Sequence, residues 1–98
     1  MTITINEQNK SILIGKKEIQ VRPQQINVLV FLYKRKHRLT LQSEISKHLF
    51  DSTDYPAIAR VRTLVHQINK ISNNRNIIFS RWKSGVRLHP EYEFLLSS

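Results

Sequence analysis

The 98-residue chain has no cysteine, only two glycines and three prolines, and seven acids against sixteen bases. Without cysteine there is no disulfide framework, no thiolate zinc site and no thiol nucleophile, which fits a reducing compartment. Two glycines are too few for a glycine-rich phosphate loop. No apolar run approaches the ~20 residues of a membrane span, and no signal peptide opens the chain. A soluble, cytoplasmic protein without membrane contact is expected. Acids are sparse and form no pair on a common face, which speaks against acid–base catalysis. His37, His48, His66 and His89 show no metal-ligand spacing. No enzyme activity, no cofactor and no metal are expected.

What the chain does have is positive charge. The formal net charge is +9, which points to a polyanionic partner before a small substrate. The excess is uneven. Between Asp54 and Glu91 there is no acid, while Arg60, Arg62, Lys70, Arg75, Arg81, Lys83 and Arg87 all fall there. A solvated surface normally mixes signs. A one-sign stretch is a field, and phosphate is its commonest biological target. A basic face without a ligand is the plainer alternative.

Hydrophobic spacing gives the organisation. In residues 2–5, 11–14 and 18–21 isoleucines and a valine fall on every second position, the pattern of half-buried strands. Turns at residues 6–10 and 15–17 make these an antiparallel meander. Pro23 suits the first turn of a helix, and Ile26, Leu29, Val30 and Tyr33 form its apolar stripe. That helix gives out in the basic run Lys34 to Arg38, read as a solvated helix end. Thr40 is the expected N-cap of a second helix whose apolar face is Leu41, Ile45 and Leu49, ending at Phe50. Asp51 to Asp54 form a loop, and Pro56 opens a third helix.

On the third helix, at 100° per residue, Ile58, Val61, Val65 and Ile68 point inward. Arg60, Thr63, Gln67 and Lys70 point outward with His66 beside them, and Leu64 and Ile71 lie along one edge. Residues 72–76 break the helix. Residues 77–82 have strand composition, 83–85 turn, and 86–88 return, a hairpin with a basic tip. Tyr92 to Leu96 are apolar enough to dock. The expected fold is α+β: an N-terminal antiparallel sheet (1–21), three helices (22–72) and a C-terminal β-hairpin wing (77–88), one winged helix-turn-helix domain over 1–98.

In that order the residues resemble the OmpR/PhoB-type winged-helix domains, the DNA-binding halves of many bacterial response regulators. Val21-Arg22-Pro23-Gln24-Gln25-Ile26 and the apolar positions to Leu32 follow that family's first helix, without its threonine (Arg22) and glutamate (Gln25). Arg38 to Phe50 follow the second helix without a gap, with Glu44 and Ile45 in place and Phe50 where tryptophan is usual. Val61, Val65 and Ile68 take apolar positions of the third helix. Ile78 to Leu88 match the wing in length and keep its isoleucine, a hydroxyl at Ser80, the second glycine at Gly85 and the closing Arg87-Leu88. Lys83 replaces the first glycine and Val86 the tyrosine.

The resemblance implies sequence-specific binding of double-stranded DNA in transcription regulation, within a two-component system. The third helix would enter the major groove, with the wing on the adjacent minor groove or backbone. It further implies tandem or dimeric binding, and contact with RNA polymerase through the loop Asp51, Ser52, Thr53 and Asp54, for which a plain capping loop is the other reading. Base edges in the major groove carry a distinguishable donor and acceptor code. Arg60 can fork onto guanine O6 and N7, and Gln67 onto adenine N6 and N7. Thr63 and His66 can donate or accept, and Lys70 suits a phosphate. Arg62 would reach a phosphate or an acid in the loop. Arg81, Lys83, Ser84 and Arg87 lie at the wing. Each of these is also compatible with a solvated surface. Trp82 either packs as a strand aromatic or touches the DNA backbone. The alternatives in function are a basic winged-helix module for RNA or for an acidic protein partner.

Overall fold

The computed structural model describes residues 1–36, 38–73, 75–81 and 83–97. Along the chain come β1 (Thr2–Asn6), β2 (Ser11–Ile14), β3 (Lys17–Gln20), α1 (Pro23–Lys34), α2 (Gln42–Phe50), α3 (Tyr55–Ile71), β4 (Ile78–Arg81), β5 (Gly85–Leu88) and β6 (Glu93–Ser97). This is the α+β winged-helix plan. Expectations for Trp82 and His37 fall outside the described residues.

The alternating isoleucines behave as their period demands. Ile3, Ile5, Ile12 and Ile14 are buried and enter one core with α1 and α3. β1 pairs antiparallel with β2, and β2 with β3. The sheet is nonetheless mixed, in the order β3-β2-β1-β6, because β6 joins β1 in parallel, Ile3 opposite Phe94 and Ile5 opposite Leu96. The antiparallel sheet expected over residues 1–21 is present, and β6 extends it with a parallel strand. A parallel partner needs a long crossover and leaves no turn signal nearby. α1 is the central element, packing on β1 and β6, on both other helices and on β5. Its buried set is accordingly wider than one stripe and includes Val28 and Leu32.

The start of α2 departs from expectation. Thr40 is not its cap. Leu41 holds that position, its side chain 46% exposed, so it is not part of the inward face. Thr40 instead bridges to the wing: its N–H donates to the Val86 carbonyl at 2.8 Å, and the Val86 N–H donates back at 2.9 Å. The local capping preference loses here to two long-range backbone bonds. Ile45 remains the buried anchor of α2, and buried Ser46 donates to the Ser52 carbonyl in the turn before α3. Asp54 caps α3, accepting from the Ala57 N–H at 2.9 Å.

Two further features hold the wing, beyond the Thr40–Val86 bonds and its buried Ile78, Val86 and Leu88. Gly85 has φ +112°, and a Cβ there would lie 2.3 Å from the Thr40 carbonyl oxygen, so only glycine allows the approach. At the far end, Asn69 of α3 accepts from the Ile78 N–H at 2.9 Å and donates to the Ile78 carbonyl at 3.2 Å. One amide thus satisfies both backbone groups of a residue only 1% exposed.

Gly85→Ala should lower unfolding free energy by at least about 2 kcal/mol, from positive-φ strain and the backbone clash. Asn69→Ala should cost roughly 1–3 kcal/mol by leaving the Ile78 groups unpaired. Urea unfolding monitored by circular dichroism measures both. Midpoints equal to that of the unsubstituted chain would show that the wing is not held this way.

Candidate nucleic-acid interface

α3 is long enough to be two-sided along its whole length. Ala57, Val61, Leu64, Val65 and Ile68 are buried, while Arg60, Arg62, Thr63, His66, Gln67 and Lys70 are exposed. Ile58, expected to point fully inward, is half-buried, and Leu64 takes the deeper place. All six expected α3 residues are exposed, with Arg60, Thr63 and Gln67 lining one groove and His66 and Lys70 another.

Several of these side chains already have partners. The Arg60 guanidinium lies 4.1 Å from the centre of the Phe50 ring, with one amino group 3.5 Å from the Gln24 amide oxygen. A cation over an aromatic face is held without being neutralised. Arg62 donates to the Gln42 amide oxygen at 2.9 Å, at the start of α2, rather than to an acid of the loop. The Thr63 hydroxyl donates to the Ala59 carbonyl at 3.1 Å, so its proton is engaged and its oxygen remains an acceptor. The Gln67 amide oxygen accepts from the Gln25 amide at 3.2 Å. That engagement takes one of the two lone pairs of the oxygen that a two-pronged fork onto adenine would also use. His66 and Lys70 line a shallow groove with Asn69 and Asn76.

The hairpin sets the second group. Arg81 and Lys83 are exposed, and Ser84 and Arg87 half-buried. The Arg87 side chain donates to the Leu88 carbonyl at 3.3 Å. Lys83 adopts φ +64°, the left-handed conformation that glycine favours.

Sequence reasoning missed the α1 side of the surface. Arg22, Pro23 and Gln24 face Arg60, Thr63, Leu64 and Gln67 across a groove of about 430 Å³. Arg22 adds an exposed cation there, and buried Gln25 underlies Gln67. Neither had a local signal, because Gln25 and Gln67 meet across 42 residues of sequence. Asn69 was missed for the same reason.

Electrostatically the surface is one-signed. The ion pairs Arg35–Glu44 at 3.6 Å and Lys47–Asp51 at 2.9 Å involve neither α3 nor the wing. The hydrogen bond from Lys47, and then its charge, hold the exposed Asp51 carboxyl below its ordinary pKa. With Asp54 capping α3, both carboxylates of the turn have structural partners. Among the described residues no three His, Asp or Glu side chains could share a metal ion, and no helix is long and apolar enough to cross a membrane.

No protein-family model matches the chain, and no curated protein matches it in sequence. Among solved structures it is similar to the DNA-binding domain of CadC from E. coli, with a TM-score of 0.64 and 14% identity. The match covers 85% of this chain and 81% of that one. At that identity the likeness is one of fold, and the fold is a winged helix.

Proposed function

We propose that residues 1–98 form one winged-helix domain that binds double-stranded DNA sequence-specifically in transcription regulation. α3 occupies the major groove, and the hairpin lies along the adjacent minor groove or backbone. The observation that carries this reading is the exposed face of α3, six polar or basic side chains on a helix whose other side is buried. An α-helix with such a ridge fits the major groove. The DNA-binding role of the CadC domain with the same fold supports it. Arg60, Thr63, His66 and Gln67 are the proposed base readers. Arg62, Lys70, Arg81, Lys83, Ser84 and Arg87 are the proposed backbone contacts, with Arg22 added from the groove.

A single-strand RNA reading needs exposed aromatics for stacking. Among the described phenylalanine and tyrosine rings Tyr55 alone is exposed and the others are half-buried, so duplex DNA is favoured. A domain of this size buries only ~600–1,000 Å² on DNA, so tandem or dimeric copies on repeated half-sites would supply avidity. The resemblance extends the proposal to a bacterial two-component effector working in the cytoplasm and touching RNA polymerase through the outer sides of Asp51, Ser52, Thr53 and Asp54.

Fluorescence anisotropy against duplex DNA, single strands and RNA tests the reading. Duplex should be preferred, and if about five phosphates are neutralised, log affinity should fall against log salt with a slope of roughly −4 to −5. Equal binding to all three polymers would contradict it. Arg60→Ala should lose ~1–3 kcal/mol of discrimination at one base pair. Lys83→Ala should weaken all sequences alike and lower the salt slope by about one. Unaltered specificity in Arg60→Ala would remove the groove assignment.

A further inference from the structure

The hydrogen bonds beneath α3 fix which way the Gln67 amide faces. The Arg22 backbone N–H donates to one amide atom of Gln25 at 2.9 Å. A backbone N–H only donates, so that atom is the oxygen. The other amide atom of Gln25 is then NH2, which also only donates, and it lies 3.2 Å from the Gln67 amide. The Gln67 atom facing it must therefore be oxygen. The NH2 of Gln67 is left on the outer side of its carboxamide, on an exposed residue lining the groove with Arg60 and Thr63. Gln25 is 5% exposed and is the third residue of α1, so this relay is anchored in the body of the fold.

We infer that Gln25 is a positioning residue that makes Gln67 a donor-only reader of the major groove. Gln67 then selects a base whose groove edge is an acceptor, guanine (O6, N7) or thymine (O4). It disfavours cytosine, whose groove edge is the N4 donor. The inference rests on the proposed function and specifies one position of its target. A carbonyl oxygen has two lone pairs, so the discrimination is a preference of roughly tenfold, not an absolute rule.

The test is selection from random duplex DNA by the full chain, by Gln25→Glu and by Gln25→Met. In Gln25→Glu the carboxylate still accepts from the Arg22 N–H, and glutamate is favoured at this helix position. Its second oxygen can no longer face the Gln67 oxygen, so the Gln67 amide turns over and presents an acceptor. One position of the selected site should move from guanine or thymine to cytosine or adenine by roughly tenfold, with the other positions unchanged. Gln25→Met, similar in shape and without the relay, should lose the preference at that same position. Folding of both variants is checked by helical circular dichroism, and if one does not fold the other decides. Folded variants that bind duplex and select the same bases as the unsubstituted chain overturn the inference and leave DNA binding standing. Failure of the unsubstituted chain to bind duplex removes both.

Discussion

Burial of Val61, Leu64, Val65 and Ile68 sets the rotation of α3 about its own axis. Each large aliphatic side chain withdrawn from water contributes about 1.5–3 kcal/mol. No rotation other than the observed one hides all four together. The polar side of the helix is therefore held outward by what happens on its apolar side. The rest of the architecture supports that placement. α1 backs α3 and carries the sheet, α2 supplies Phe50 and Gln42 beneath two arginines, and Asn69 ties the end of α3 to the wing.

The outward face is polar but not loose. Arg60 rests on an aromatic ring, Arg62 on Gln42, Gln67 on Gln25, and Thr63 on its own helix. Long side chains lose rotamer freedom when they bind, and that loss weakens binding. Partners that restrain them beforehand reduce the loss while leaving the guanidinium charges intact. The wing is restrained too, by the Thr40–Val86 bonds and by the absence of a side chain at Gly85. The two elements proposed to meet one duplex are thus set relative to each other before any partner arrives.

Much of this was visible in the sequence because it is local. Period-two isoleucines marked the strands, the 3.6-residue spacing marked α1 and α3, and the acid-free stretch marked the charged face. What stayed hidden was non-local. Thr40 has the chemistry of an N-cap, and only the proximity of Val86 diverts it. β6 looked like an apolar tail because its partner β1 lies at the other end of the chain. Gly85 could be matched to a wing glycine, but the Thr40 carbonyl that requires it could not be foreseen. The α1 side of the surface, Arg22 to Gln25, read in sequence only as a helix start, and it joins the α3 groove only because α1 packs on α3.

The most direct measurement is an amide chemical-shift titration of the isotope-labelled chain with a selected DNA duplex. The largest perturbations are expected along α3 from Arg60 to Lys70, at the hairpin tip from Lys83 to Arg87, and at Arg22 and Gln24 beside the groove. Perturbations concentrated on β1, β2 and β3, with α3 and the hairpin silent, would contradict the account.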